Sequence, residues 1–300
     1  MTTKPRRRPQ FCTSNVVGRL QRNAGPCNYD PLHEAFEVRH DRALGRGTDG
    51  DVVEGICRQT RRSHALKRFS SAGMCNVERE IEILGSLDHP HIIKLGGVYR
   101  PTTTRRDLVL AFPLADCSFS RLLSSRGSLD ASLSRKLLTQ LLSALAYMHS
   151  NRVTHRDLKP DNLLITTDLE GQLQVLLCDF SRARRLPQAL RTRKTTKTVV
   201  DNAYGKVNHR QLMTPGLCTR TFAAPEVVCG LEELYYGTAA DMWSFGAIAF
   251  EAMFGYPFVS SRSDVETVAM WLCRLGAPDD DLDLGPRQKA LIQASRRAAT

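Results

Sequence analysis

The sequence lacks the closely spaced cysteine pairs of a zinc site or a disulfide framework. Its nine cysteines are scattered and contain no CxxC pair. The count is also odd, whereas small disulfide-stapled domains carry an even number of cysteines. Free cysteines of this kind are typical of proteins in a reducing compartment. The cysteine pattern therefore excludes a disulfide scaffold and indicates an intracellular protein.

Long apolar runs are absent as well. The longest, residues 242–258, is interrupted by Glu251 and is too short to span a bilayer. The basic start, MTTKPRRRPQFC, has no apolar core behind it, unlike a secretory signal peptide. No internal repeat is found. We therefore expect no membrane segment, and the 300 residues are enough for one large domain or for two lobes that share a cleft.

The net charge of +11 is concentrated in two segments. Residues 1–35 carry six Lys and Arg against two acidic residues, and residues 181–220 carry ten against one. Such segments can bind nucleic acid, and KPRRRP and RTRKTTK also resemble nuclear import signals. A solvated tail and a mobile loop are the simpler explanation. We predict a flexible basic tail over 1–35 and a cytoplasmic or nuclear location. We expect no nucleic-acid partner, although that alternative stays open.

Strand patterns dominate the first third of the remaining chain, and helix patterns dominate the rest. Val77, Ile81 and Leu84 form one helical stripe, and a similar repeat predicts an amphipathic helix over 134–150. The predicted strands are the hairpin FEVRHDRALGRGTDGDVVEGICR and the runs SHALKRF, DLVLAFPL and LQVLLCDF. The segment DMWSFGAIAFEAM is predicted as a buried helix. This order predicts an α+β fold of two unequal lobes with a cleft between them.

Three glycines lie between the first two strand patterns. Gly45, Gly47 and Gly50 have the GxGxxG spacing, which is weak evidence by itself because glycines also mark hairpin turns. A dinucleotide-binding turn would need a helix after the motif, and a strand follows here. The position favours a glycine-rich flap that lies over phosphates.

Lys67 lies in a strand pattern that an acidic helix follows. Glu80 comes 13 residues later and is a candidate ion-pair partner, with Glu78 and Glu82 as alternatives. An ion pair would hold the Lys67 ammonium as a point charge against phosphate oxygens.

The stretch HRDLKPDN, residues 155–162, carries three residues suited to phosphoryl transfer. Asp157 could accept the proton of a substrate hydroxyl, and Lys159 could neutralise the transferring group. The side-chain oxygen of Asn162 is a hard ligand suited to Mg²⁺. Asp179, at the end of the strand LQVLLCDF, is a candidate second metal ligand.

In this order the motifs resemble those of eukaryotic protein kinases. The resemblance covers residues 36–275, and Lys159 together with Thr219 is typical of serine/threonine kinases. The segments EIEILGSLDHPHIIKL, CTRTFAAPE and RLGAPDDD resemble the group of cyclin-dependent and MAP kinases. The matching motifs are the three glycines, Lys67, Glu80, residues 155–157, Asn162, residues 179–180, Ala-Pro-Glu at 224–226 and Asp-Met-Trp-Ser at 241–244.

The resemblance implies an ATP- and Mg²⁺-dependent kinase that transfers the γ-phosphate of ATP to serine or threonine hydroxyls of proteins. It implies a kinase domain over 36–300: an N-lobe at 36–115 with a small antiparallel sheet and one main helix, and a larger, mostly helical C-lobe at 116–300. The activation segment would be 179–226.

The site residues carried over from the family fall into two sets. The catalytic and metal-binding set is Lys67, Glu80, Asp157 and Lys159, with Asn162 and Asp179 as metal ligands. The ATP-binding set is Leu44, Gly45, Gly47, Gly50, Val52, Ala65, Lys67, the gatekeeper Phe112, Pro113, Ala115 and Leu164.

The resemblance also implies control by phosphorylation. Thr214 matches the phosphorylated threonine of the activation segment, and Arg79, Arg156 and Arg184 match arginines that bind its phosphate. The implied partners are protein substrates and an upstream activating kinase. A regulatory subunit such as a cyclin is a further alternative.

Two departures from the family's pattern bear on activity. Ser181 replaces the glycine after Asp179 and Phe180, and Asp49 lies at the tip of the glycine-rich loop, where an aromatic residue is common. Glycine gives the backbone freedom to switch and supplies no metal ligand, so we expect Asp179 to work beside serine. The competing hypothesis is a pseudokinase that only binds.

Two further departures concern specificity and the end of the chain. Ala223 stands where the resembled group has an arginine that shapes a pocket for proline, which argues against proline-directed specificity. The chain ends shortly after RLGAPDDD, so Glu226 either pairs with Arg296 or Arg297 in a shortened lobe or lacks its partner. A third alternative is that the chain is a fragment.

Overall fold

The computed structural model describes residues 30–47, 50–69, 74–101, 107–186, 220–228, 237–261, 263–276 and 286–298. The chain divides into two compact units that alternate along the sequence. The first comprises the described residues up to Arg126, together with Arg135–Asn151 and Pro160–Ala183. The second comprises Gly127–Ser134, Arg152–Lys159 and the described residues from Arg184 onward. The lobe boundary at 115/116 stays a prediction.

A six-stranded sheet organises the start of the first unit. Its elements in chain order are β1 (Asp30–Pro31), the short helix α1 (Leu32–Ala35), β2 (Phe36–Gly47), β3 (Gly50–Cys57), β4 (Ser63–Phe69), the helix α2 (Met74–Ser86), β5 (Gly97–Arg100) and β6 (Leu108–Pro113). The strand order is β1-β5-β6-β4-β3-β2. All neighbours are antiparallel except β1, which runs parallel to β5.

The helix α2 buries the predicted apolar stripe. Val77, Ile81 and Leu84 are all buried, whereas Glu78 is exposed. The helix contacts the turn at Phe180–Arg182, which belongs to the same unit. The spacing of apolar residues therefore predicted correctly which face of this helix enters the core.

From residue 117 onward short strands alternate with longer helices. The elements are β7 (Cys117–Ser118), α3 (Phe119–Arg126), α4 (Ala131–Ser150), β8 (Val153–Thr154), β9 (Leu163–Thr167), β10 (Leu173–Leu177), β11 (Arg184–Arg185), α5 (Pro225–Val228), α6 (Thr238–Phe254), α7 (Asp264–Leu275) and α8 (Pro286–Ala298). A three-stranded sheet has the order β10-β9-β7, and β11 pairs with β8. The α+β class predicted from the sequence is confirmed.

Two details differ from expectation. Residues 30–35 form β1 and α1 within the predicted flexible tail, because Leu32 is buried in a cluster with Phe36 and Tyr99. The helix α6 was expected to be buried all round, yet it exposes Met253 and Phe254 at its end. None of the helices in the described part of the chain is long and apolar enough to cross a membrane.

The hairpin of β2 and β3 depends on a close approach at Gly50. This residue has φ of 151°, and a Cβ atom at its position would lie 1.8 Å from the backbone oxygen of Arg68 on β4. At Gly45, across the hairpin, a Cβ atom would meet nothing within 4 Å. Two glycines of the same motif therefore have different roles: Gly50 lets two strands pack, and Gly45 leaves open space beside the sheet.

We expect Gly50→Ala to lower the free energy of unfolding by about 2 kcal/mol or more, because backbone must move to admit the methyl group. The matched variant Gly45→Ala should change it by less than about 1 kcal/mol, since no atom opposes its methyl group. Denaturant unfolding of both variants beside the parent tests this. Equal losses for the two variants would contradict the packing argument.

Candidate active site

The ammonium of Lys67 lies between two carboxylates in the first unit. Its Nζ atom is 3.0 and 3.1 Å from the two oxygens of Glu80 and 2.7 Å from Oδ1 of Asp179. Lys67 comes from the middle of β4, Glu80 from α2, and Asp179 from the segment after β10. Of the three candidate acids on α2, Glu80 is therefore the residue that contacts Lys67.

This ion pair is almost completely enclosed. The side chain of Glu80 is 1% exposed and that of Lys67 is 12% exposed, whereas Asp179 keeps 31% of its side chain exposed. Burial lowers the pKa of Lys67, but the charges of Glu80 and Asp179 and their hydrogen bonds outweigh it and raise the pKa above its usual value. Lys67 is therefore a permanent cation beside the partly exposed Asp179.

A backbone register brings Asn162 and Asp179 to the same end of a hairpin. Leu163 on β9 pairs with Leu177 on β10, and the N–H of Cys178 donates to the carbonyl of Asn162 at 3.0 Å. Asp179, the next residue, has φ of 62° and ψ of 72°, a left-handed conformation that is uncommon outside glycine. The two predicted metal ligands thus follow from one antiparallel pairing.

The donor set fits Mg²⁺. One carboxylate and one amide oxygen are hard ligands, and Mg²⁺ in proteins commonly takes few side chains because phosphates and water complete its shell. Within the described residues, no group of three or more His, Cys, Asp or Glu could hold a metal ion. A site made of Asp179 and Asn162 has only one residue of those types, so the two observations are compatible.

The residues predicted to bind adenine lie in the first unit, and several of them are on β4, which carries Lys67, or on strands of the same sheet. Backbone pairing places Gly45 beside Val52 and Val52 beside Lys67, and it places Ala65 beside Phe112. Phe112 is buried, whereas Val52 and Ala65 are partly exposed. The other predicted members are the exposed Leu44 and the half-buried Pro113, Ala115 and Leu164. Partly exposed apolar residues beside a fixed cation can accept a flat ring joined to phosphates.

Asp157 and Lys159 lie in the second unit and contact each other. The Nζ of Lys159 is 3.1 Å from Oδ2 of Asp157, and both side chains are largely buried. Arg156, just before Asp157, has φ of 72°, so this segment also contains a left-handed residue. The segment therefore holds an aspartate beside a cation in a constrained backbone.

Asp241 holds this segment in place, a role that sequence reasoning missed. Asp241 lies in the first turn of α6 and is 1% exposed, and its carboxylate accepts at least three hydrogen bonds. Three donors are the Thr154 hydroxyl at 3.1 Å and the backbone N–H groups of His155 and Arg156, each at 2.9 Å. A buried acid at the start of an otherwise apolar helix was the signal that could have revealed it.

The helix α6 also anchors the Ala-Pro-Glu region. The Ser244 hydroxyl donates to the carbonyl of Phe222 at 2.7 Å, and Ala223 is buried in an apolar cluster with Val228 and Trp271. Glu226 is half-buried, and Arg296 and Arg297 are exposed. No ion pair joins Glu226 to either arginine in the part of the chain that the structure describes, so the partner of Glu226 remains a prediction.

The predicted regulatory residues are described only in part. Arg184 on β11 pairs with Thr154 on β8, and Arg156 follows Thr154 by two residues, outside the strand, so both arginines belong to the second unit. Arg79 precedes Glu80 on α2 in the other unit. Thr214, Thr219 and Asp49 lie outside the described residues, and their roles stay predictions.

We expect Asp241→Ala to lower the free energy of unfolding by about 3 kcal/mol or more, because two buried donors and one partly buried donor lose their acceptor. Asp264 offers a matched control. It also lies in the first turn of a helix, α7, but its contact with Arg220 at 2.7 Å is solvent-accessible. Asp264→Ala should cost less than about 1 kcal/mol. Similar losses in denaturant unfolding would contradict the anchoring role of Asp241.

Comparison with known proteins agrees with the geometry. The protein kinase domain family matches residues 38–279. The chain is 29% identical over 269 residues to the mitogen-activated protein kinase homolog NTF6 of Nicotiana tabacum, which covers 86% of this chain and 65% of that protein. It is 28% identical over 281 residues to mitogen-activated protein kinase 10 of Arabidopsis thaliana, covering 90% and 65%.

A third relative comes from an animal. The chain is 31% identical over 232 residues to the serine/threonine-protein kinase fused of Drosophila melanogaster, covering 76% of this chain and 25% of that protein. The chain thus spans less than two thirds of the length of these relatives. The identities of 28% and 29% to mitogen-activated protein kinases confirm the predicted resemblance to the MAP kinase group. Because the family match extends over most of the sequence, the chain belongs to the protein kinase domain family.

Proposed function

We propose that this chain is an ATP- and Mg²⁺-dependent protein kinase that phosphorylates serine and threonine residues of proteins. The observation that carries the proposal is the Lys67 ammonium held at 2.7 to 3.1 Å between Glu80 and Asp179. A lysine buried only for stability would not need a second, partly exposed acid aimed at it. This arrangement suits a cation that must be kept charged and oriented toward phosphate oxygens.

Each charged residue then has a distinct task. Lys67 positions the phosphates of ATP, and Glu80 keeps its ammonium from turning toward solvent. Asp157 orients the substrate hydroxyl and accepts its proton as the oxygen attacks the γ-phosphorus. Lys159, 3.1 Å from Asp157, neutralises charge on the transferring group. Asp179 and Asn162 would hold Mg²⁺, which neutralises phosphate charge when bound.

Protein substrates and an upstream activating kinase are the partners that we propose. The three relatives compared above are named as mitogen-activated or serine/threonine-protein kinases, which supports phosphate transfer to proteins. Those names give no support to a cyclin subunit. An intracellular location, cytoplasmic or nuclear, agrees with the scattered free cysteines and the basic segments.

The direct test is transfer of labelled phosphate from ATP with Mg²⁺ to a generic basic protein substrate. We expect Asp157→Asn to fall below about a tenth of the parent rate, a barrier increase of about 1.4 kcal/mol or more. Asp161→Asn is the matched control, because Asp161 is an exposed acid four residues away in the same segment. Equal rates for the parent and Asp157→Asn would favour the pseudokinase alternative. ATP binding without transfer by the parent would do the same.

We predict that Ser181→Gly keeps at least half of the parent rate. Ser181 is buried between Phe180 and Arg182. Within the described residues its hydroxyl makes no hydrogen bond, so its loss removes no contact from the site. The steady-state rate of the variant at saturating ATP checks this. A fall of about tenfold would show that the serine holds Asp179 in position.

The final prediction concerns activation. A phosphate adds nearly two negative charges and three acceptor oxygens, which Arg184 on β11 and Arg156, two residues after the paired strand β8, could bind. We expect treatment with an activating kinase to raise the rate of the parent about tenfold or more, and Thr214→Ala to abolish this increase. Thr198→Ala is the control within the same segment. A normal increase in Thr214→Ala together with its loss in Thr198→Ala would move the switch to Thr198.

A further inference from the structure

Four aromatic rings and one arginine form a cluster at the ends of α6 and α7 in the second unit. We call it the aromatic patch; its members are Phe250, Phe254, Tyr256, Phe258 and Arg274. The ring of Phe250 is central: its centroid is 4.6 Å from Phe254, 5.3 Å from Tyr256 and 5.2 Å from Phe258. The guanidinium of Arg274 lies 5.7 Å from the centroid of Phe250 and 5.4 Å from that of Phe258.

Two of the four rings of the patch are exposed although they are apolar, whereas Phe250 and Phe258 are half-buried. Phe254 is 52% exposed and Tyr256 is 51% exposed, and the neighbouring Met253 and Leu275 are 50% and 60% exposed. Large apolar side chains that are exposed singly are ordinary, but a contiguous group at one place on a surface marks an interaction site. The glycine between Phe254 and Tyr256 has φ of 78° and ends α6, so the turn that presents both rings is built into the backbone.

The charge of Arg274 indicates what kind of partner the patch would bind. Its guanidinium packs on two rings, which leaves the N–H groups at its edge directed away from them. Among the described residues, Arg274 has no carboxylate partner. An arginine held in one orientation by aromatic rings loses little entropy when it binds a carboxylate, and such pairs form two parallel hydrogen bonds.

We propose that the aromatic patch is a docking surface for a protein partner whose binding segment carries a carboxylate flanked by aliphatic or aromatic side chains. The carboxylate pairs with Arg274, and the flanking side chains cover Phe254 and Tyr256. None of the patch residues takes part in phosphoryl transfer as described above. The inference therefore goes beyond the proposed function and does not depend on it.

A nucleic acid fits the patch less well. Binding a phosphate backbone requires several cations, and one guanidinium contacts these rings. Bases stack on open aromatic faces, whereas Phe250 meets Tyr256 and Phe258 nearly edge-on, at 81° and 68°. Aromatic anchors around one arginine are instead the composition that dominates binding at protein interfaces.

The test measures binding of synthetic ten-residue peptides to the full chain by fluorescence anisotropy. One panel carries Asp or Glu beside Leu and Phe, a second replaces the acids with Asn or Gln, and a third replaces them with Lys. We expect the acidic panel to contain binders. Their affinity should fall about tenfold in Arg274→Glu, which should in turn favour the Lys panel. Phe254→Ser and Tyr256→Ser should each weaken binding about fivefold or more.

Matched controls separate the patch from the rest of the surface. Arg135→Glu changes an exposed arginine on α4, and Leu169→Ser changes a leucine that is 74% exposed between β9 and β10. Both should bind the acidic panel like the parent. Thermal unfolding of every variant verifies the fold. If Phe254→Ser does not fold, the binding result for Arg274→Glu decides whether the proposal stands.

Three results would overturn the proposal. The first is acidic peptides that bind parent and Arg274→Glu equally, since the basic segments would then be the binding site. The second is a panel without binders, or one in which the amide peptides bind as tightly as the acidic ones. The third is self-association of the parent in sedimentation that Phe254→Ser abolishes, because a second copy of the chain would then occupy the patch.

Discussion

The contact of Lys67 with Glu80 and Asp179 is the interaction on which the rest of the first unit depends. It joins a strand, the helix that follows this strand, and the segment after a hairpin, where Asp179 lies 112 residues after Lys67. A buried charge without its partner is strongly destabilising, so the three elements must assemble together for any of these charges to be buried. The sheet supplies Lys67 at a defined position, and the apolar stripe of α2 determines which acid faces it. The ion pair to which we assign the phosphates of ATP is therefore also a condition for folding of the first unit.

In the second unit, hydrogen bonds stabilise a buried carboxylate. Asp241 is buried at the start of α6 and accepts three hydrogen bonds from the backbone and side chain just before Asp157. In both units a left-handed residue, Asp179 or Arg156, is itself a predicted site residue or directly precedes one. Arg61 and Arg152 share this conformation elsewhere, so it does not identify a site by itself. What distinguishes the two positions is a constrained backbone next to a buried charge.

The sequence predicted the regular elements well, because helices and strands leave local patterns of apolar residues. SHALKRF is a strand with the predicted limits. The choice of Glu80 over Glu78 was also within reach: Glu80 is three residues after Val77 and four before Leu84, hence on the buried face of α2. The anchoring role of Asp241 was missed because the motif at 241–244 does not show which groups its carboxylate contacts. Residues 30–35 were missed because a two-residue strand has no periodicity, and the exposure of Phe254 and Tyr256 depends on tertiary packing alone.

The central claim is that Glu80 must hold the Lys67 ammonium in place for Lys67 to position the phosphates of ATP. One comparison tests this claim most directly. Phosphate transfer and the KM for ATP are measured for the parent, Glu80→Gln and Glu78→Gln. Both changes remove one charge from α2, but only Glu80 contacts the Lys67 ammonium. We predict that Glu80→Gln slows transfer about tenfold or more, while Glu78→Gln stays within about twofold of the parent. Equal rates for the two variants, in proteins that remain folded, would contradict the account.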